Sequence, residues 1–127
     1  MYAESAGRPF LYRKGRRVSE DLTLARVNAG GWTRPASDFS VDGLSYDGTY
    51  APGPCAINCG NGENAAGVPF PLPYYGSEGN AETYAFHPGG ANVVLGDGSV
   101  RLITSSINIR EYARLVTRSG GEVTPNY

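Results

Sequence analysis

The chain has very little of the residue types from which catalytic and metal sites are most often built. Its 127 residues include one histidine, two cysteines, one tryptophan and one methionine. With a single imidazole, any conventional nucleophilic triad would have to use His87, and no Gly-x-Ser-x-Gly elbow is present to serve it. Zinc needs about four nitrogen or sulfur ligands, more than Cys55, Cys59 and His87 supply. Excess charge is missing too: Lys and Arg number 11 against 12 Asp and Glu, a net charge of -1, which leaves no electrostatic footprint for nucleic acid. The one basic run, Arg13-Lys14-Gly15-Arg16-Arg17, reads as a solvated hairpin tip in preference to a polyanion contact. No window approaches the ~18 apolar residues of a membrane helix, and no charged-then-apolar leader opens the chain. No phosphate loop or dinucleotide fingerprint appears, because Gly96-Asp97-Gly98 falls inside a hairpin pattern; no cofactor or metal is expected.

What is abundant is turn chemistry. Glycines number 18 and prolines 9, with 40% apolar residues, the profile of short strands joined by tight loops. The length fits one domain over 1–127. The expected fold is α+β and mainly β: an antiparallel sheet or meander with one C-terminal helix packed on it and long surface loops. Strands are expected around Met1 to Glu4 and Phe10 to Arg13, with turns at Ala6-Gly7-Arg8-Pro9 and Lys14-Gly15-Arg16 and a return strand from Arg17. Met1 to Glu4 reads as mid-strand with no polar lead-in, so the start is expected to be internal to a longer protein.

The middle of the chain offers candidate binding groups. Trp32, after Gly30-Gly31, reads as a core anchor or, less readily, a ligand-facing ring. Asp38, Asp42 and Asp47 invite a calcium reading, but their spacing matches no regular calcium loop, and two Asp-Gly turns with a cap explain them better. For Cys55 and Cys59 three states compete: a short disulfide, half of a metal site, or free thiols. The disulfide is favoured, and with it an oxidising compartment. Residues 60–81, with Phe70-Pro71-Leu72-Pro73-Tyr74-Tyr75, form a long loop that neither helix nor central strand accommodates.

Near the C-terminus, Thr83 to His87 regains strand character, and His87-Pro88-Gly89-Gly90 leads into a hairpin turning at Asp97-Gly98, a pair suited to positive φ at both centres. Together they make a three-strand meander. In the second arm Val100, Leu102 and Thr104 alternate with Arg101 and Ile103, so one face is the more consistently apolar. A helix capped by Ser105 or Ser106 follows, with Ile109, Tyr112, Ala113 and Val116 on one stripe, ending at Gly120-Gly121. His87 and Asp97 stand at opposite ends of a strand, on the order of 15 Å apart at ~3.3 Å per residue, so they are not a catalytic dyad. His87 is expected to bond to turn backbone.

The run HPGGANVVLGDGSVR at His87 to Arg101 carries His87, nine intervening residues, then Asp97-Gly98; with TRSGGEV at Thr117 to Val123, ESAGRP at Glu4 to Pro9 and GPCAINC at Gly53 to Cys59, it resembles the prepilin-type H-X9-DG proteins of Planctomycetes and related bacteria. The resemblance implies an exported pilin-like or pseudopilin-like protein, in which this chain is the C-terminal head of a longer molecule that opens with a processed leader and an apolar anchoring helix. The expected location is the periplasm or cell surface, and the expected partners are other pilin-like subunits or envelope proteins. The expected role is structural and non-enzymatic. An extracellular solute- or glycan-binding module using Trp32, Asp42, Asp47, Tyr74 and Tyr75 is the alternative, and a hydrolase built on Asp42 and Asp47 a distant third.

Overall fold

A computed structural model describes residues 1–7, 10–19, 41–50, 52–61 and 82–117 of the chain. Trp32, Tyr74, Tyr75, the proline-rich run and the Gly120-Gly121 helix stop lie outside the described residues. Within them the fold is α+β and mainly β, with antiparallel strands in two sheets and one C-terminal helix.

The larger sheet has three strands in the order β1 (Tyr2–Ala3), β4 (Gly90–Val94), β5 (Val100–Thr104), all antiparallel. The third strand therefore comes from the N-terminus and not from Thr83 to His87, as the meander reading had it. Thr83 and Tyr84 make only isolated parallel bridges, to Ile57 and Ser5. Tyr84 is clamped on both sides, its N–H donating to the Glu4 carbonyl at 3.1 Å and its carbonyl accepting from Ala6 N at 2.8 Å.

Register decides which face of this sheet is the core. Ala91 pairs with Ile103, and Val93 pairs with both Ala3 and Arg101. Ala91, Val93 and Ile103 are buried, whereas Val100 is 66% exposed and Leu102 50%. The face carrying Val100 and Leu102 thus points outward, together with Tyr2 and Val94, and the Ile103 face points inward. A period of two separates the faces of a strand but does not say which is buried when both are apolar. Arg101 shares the inner face near the turn end of the hairpin, where it is exposed.

The two hairpins turn differently from one another. Between β2 (Leu11–Arg13) and β3 (Arg16–Ser19) the two-residue turn has φ of 49° at Lys14 and 76° at Gly15, both positive, as a type I′ turn demands. The expected Asp97-Gly98 turn of that type is not what forms between β4 and β5. There Gly98 N donates to Leu95 O at 3.0 Å and Leu95 N to Ser99 O at 2.9 Å, and only Gly98 takes positive φ, 82°. This is the longer hairpin loop closed by a left-handed glycine, and Asp97 needs no strained backbone in it.

Helix α1 spans Ile109–Val116. Its cap is Asn108, whose Oδ1 accepts from Arg110 N at 2.9 Å, and not Ser105 or Ser106. The intervening turn is closed by Ile107 N donating to Thr104 O, which buries Ile107 beneath the helix. Tyr112 is fully buried, and Ile109 and Leu115 pack beside it against a core of Ala56, Ile57, Ala85, Ala91, Val93, Ile103 and Ile107. Val116 is 39% exposed and lies outside the buried cluster, so the working stripe is Ile109, Tyr112 and Leu115. The Tyr112 hydroxyl is hydrogen-bonded to Thr83 Oγ1, and burial, with the Glu82 charge adding to it against that bond, pushes the phenol up to about 12.

A second, smaller cluster joins Leu44 to the disulfide between Cys55 and Cys59. Leu44 and Cys55 exchange both backbone hydrogen bonds at 2.8 Å, and Cys55 also bridges Asn108 at the head of the helix.

Candidate functional site

His87 leaves the chain in the turn before β4, and it does not bond to turn backbone as expected. Its Nε2 lies 2.8 Å from Glu4 Oε1, just beyond β1. The same carboxylate accepts from Asn92 N at 2.7 Å on Oε2 and from Asn92 Nδ2 at 3.3 Å on Oε1. Glu4 thus ties the first strand, the central strand and the His87 turn together. Partial burial works to raise its pKa, but the Asn92 hydrogen bonds, then His87, outweigh it and hold the carboxyl below its usual range. As an ionised acceptor Glu4 makes the His87 ring nitrogen facing it a donor.

At the far end of the hairpin Asp97 closes its own turn. Its Oδ1 accepts from Ser99 N at 2.9 Å and Ser99 Oγ at 2.7 Å, and these bonds set its pKa low. Gly98 supplies the left-handed residue. The three motif residues are therefore not brought together; each braces the sheet where it stands.

Asp47 does in the 41–50 loop what Asp97 does in the hairpin. Its Oδ1 accepts from Ser45 Oγ, Thr49 Oγ1 and Thr49 N, which lowers its pKa to about 2. Asp42 is exposed in the same loop, with its carbonyl accepting from Gly53 N at 3.3 Å. Among the described residues no group of three or more His, Cys, Asp or Glu side chains is placed to hold a metal ion, and no helix is long and apolar enough to cross a membrane.

Two asparagines beside the disulfide organise the surroundings, and sequence reasoning missed both. Asn61 is fully buried: its Oδ1 accepts from Tyr12 N at 2.8 Å, and its Nδ2 donates to Phe10 O at 2.7 Å and Ala6 O at 3.2 Å. Asn58, with φ of 64°, donates from Nδ2 to Gly90 O at 3.1 Å and accepts on Oδ1 from Ala85 N at 2.7 Å. An Asn side chain carries a peptide-like donor and acceptor, so each can substitute for a missing strand partner. The available signal was their setting, Asn58 inside the five-residue disulfide ring and Asn61 between glycines.

These braces leave a cleft of about 310 Å³ over the disulfide, lined among others by Lys14, Tyr46, Asn58, Phe86, His87 and Ser105. Two of its lining residues, Tyr84 and Phe86, belong to an aromatic cluster. Phe86 meets Tyr12 edge-on at 5.0 Å between centroids and Tyr84 at 5.7 Å, while the buried Tyr84 accepts from Gly15 N at 2.8 Å. Burial raises the Tyr84 phenol's pKa. Among the described residues the exposed rings that line this cleft are those of Tyr46 and Phe86, neither of them named from the sequence as a ligand contact.

A mainly β α+β chain, with a disulfide-braced flank and a motif whose polar side chains hold strands together, is the class that fold and site define. The chain belongs to the family described as "Protein of unknown function (DUF1559)", whose model matches residues 1–110. Comparisons with curated proteins and with solved structures return no match.

Proposed function

We propose that the chain is the exposed head of an exported pilin-like or pseudopilin-like protein, and that it works as a structural and interaction module without enzymatic activity. One observation carries this reading: His87 Nε2 is held by Glu4 and Asp97 Oδ1 by Ser99, at opposite ends of β4. A catalytic acid and base must lie within hydrogen-bond reach of one reacting group, whereas braces work best where strands would otherwise part. The Cys55–Cys59 disulfide supports an oxidising compartment, the periplasm or the cell surface. The partners on this reading are other pilin-like subunits or envelope proteins, and the outward sheet face of Tyr2, Val94, Val100 and Leu102 is the surface offered to a neighbouring subunit.

The test is to express the complete coding sequence, with whatever lies in frame upstream of Met1, and to fractionate the cells after thiol alkylation. The expected result is protein in the envelope fraction whose Cys55 and Cys59 react only after reduction. Protein in the cytoplasmic fraction with both thiols reactive sinks the proposal.

A further inference from the structure

We infer that the cleft between the Lys14-Gly15 turn and the His87 turn binds an acidic saccharide, a uronate-bearing glycan, through Tyr46, Phe86 and Lys14. This binding activity goes beyond the structural role proposed above and does not depend on it. Its first support is the pair of exposed rings. Tyr46 is 66% exposed and Phe86 56%, and both face the same cleft of about 310 Å³. Aromatic surface left in water is stabilised when covered, and the C–H face of a pyranose covers a ring while leaving its hydroxyls at the edge to bond.

The second support is charge. Lys14 lines the cleft, with its Nζ 5.8 Å from the Tyr46 ring centroid. It belongs to the stretch Arg13-Lys14-Gly15-Arg16-Arg17, four cations in five residues, of which Lys14, Arg16 and Arg17 are exposed. Although the whole chain carries a net charge of -1, the described residues lining the cleft include the Lys14 ammonium and no Asp or Glu, so the charge nearest a ligand there favours an anion.

The third support discriminates a saccharide from a peptide. Six of the lining backbone donors are already used: Gly15 N by Tyr84 Oη, Ala85 N by Asn58 Oδ1, Ser105 N by Gly89 O, Lys14 N by Cys59 O, Cys55 N by Leu44 O and Asn58 N by Thr83 O. A peptide strand adding to this surface would need such groups to pair with. The groups the cleft offers are side chains instead, namely two ring faces, an ammonium and the Ser105 hydroxyl. The volume stands at the small end of ligand sites, about 300 to 1,000 Å³, which suits one or two sugar rings and not a long stretch of polymer.

The experiment titrates isotope-labelled protein with tetragalacturonate, with neutral cellotetraose and with a single-stranded oligothymidylate, following amide shifts. Tetragalacturonate is expected to move Tyr46, Phe86 and Ser105, and cellotetraose to bind about tenfold more weakly, because it lacks the carboxylates that Lys14 pairs with. Tyr46→Ala and Lys14→Asn should each weaken tetragalacturonate binding about tenfold, Asn being chosen because it tolerates the positive φ at position 14. Tyr46 and Lys14 are both exposed, so both variants should melt within about 2 °C of the parent, which separates loss of binding from loss of fold. Absence of cleft shifts at about 10 mM tetragalacturonate, a concentration that detects even millimolar affinity, overturns the inference. So does equal binding of the neutral sugar, survival of binding in both variants, or tighter binding of the oligothymidylate, which would reassign the cleft to nucleic acid.

Discussion

Around Ile103 and Tyr112 the chain is held by apolar side chains meeting across a sheet and a helix; around Cys55 and Cys59 it is held by backbone drawn close and tied down. The first region buries Ala91, Val93, Ile103, Ile107 and Tyr112 in one cluster. Among the described residues the second gathers Leu44 with its disulfide into a small cluster, and relies on the paired Leu44–Cys55 hydrogen bonds and on asparagine side chains standing in for strand partners. Where few apolar side chains meet, cohesion comes from covalent and hydrogen-bonded ties, and these tolerate no added volume between the backbones they join. The cleft lies over the tied region, with Cys55 and Cys59 in its lining.

The comparison is broken most severely by one substitution in each region. Tyr112→Ala should cost about 3–5 kcal/mol through the cavity and the orphaned Thr83 hydroxyl. Gly53→Ala should cost about 3 kcal/mol by the opposite route: a Cβ there would sit 2.2 Å from the Leu44 carbonyl carbon and 2.4 Å from Ser45 N, backbone that cannot rotate away. Urea unfolding measures both. Hydrogen exchange sharpens the contrast, since Tyr112→Ala should deprotect the Ile103 amide well before those of Leu44 and Cys55. Equal deprotection at all three would make the two regions one cooperative unit. Reducing the Cys55–Cys59 bond comes next. So short a ring removes little chain entropy, so the loss should be about 2 kcal/mol, again by urea unfolding with and without reductant.

The two regions also differed in how far the sequence revealed them. Strands β1, β2 and β5 and the Tyr112 helix follow from periodicity and turn residues, because burial there is repetitive. The disulfide followed from cysteine count alone. Asn58 and Asn61 were invisible, because their partners Gly90, Ala85, Tyr12 and Phe10 lie far along the chain and no local pattern encodes them. The cleft was missed for the same reason. Tyr46, Phe86 and Lys14 come from three separate segments, and an exposed Tyr in a turn looks like any other until the fold gathers it with a second ring and a cation. The third strand went wrong because Thr83 to His87 has strand composition, yet its bonding groups are claimed by Ile57 and Ser5 in isolated parallel bridges.

Acid should weaken both regions by a smaller amount. Glu4 and Asp97 brace the sheet, Asp47 the loop, and all three have folded pKa values below their unfolded ones of 4.5 or 3.8, Asp47 at about 2. A depressed carboxyl contributes stability that is fully present above the unfolded value and is lost as pH falls through the folded one. The melting temperature should therefore hold steady above about pH 5 and decline toward pH 2, with Glu4→Gln and Asp47→Asn each flattening part of the decline. A melting temperature that rises on acidification would contradict the carboxylate braces.

The smallest effect concerns two neighbours on one strand. Leu102 and Ile103 are consecutive, but Leu102 is 50% exposed and Ile103 fully buried. Judged by chemistry, Leu102→Ser is the harsher change, because it removes most of an apolar side chain and adds a hydroxyl, while Ile103→Val removes a single methyl. Judged by register the order reverses. Ile103→Val should cost about 1 kcal/mol through the void it leaves between Ala91 and the helix, and Leu102→Ser should stay within about 0.5 kcal/mol, since the hydroxyl meets water. Urea unfolding at several protein concentrations reads both numbers. A larger loss for Leu102→Ser that grows with concentration would mean that the outer face is covered by another copy in solution. A larger loss independent of concentration would instead place Leu102 on the buried face and overturn the register on which the core, the clip at Glu4 and the cleft all depend.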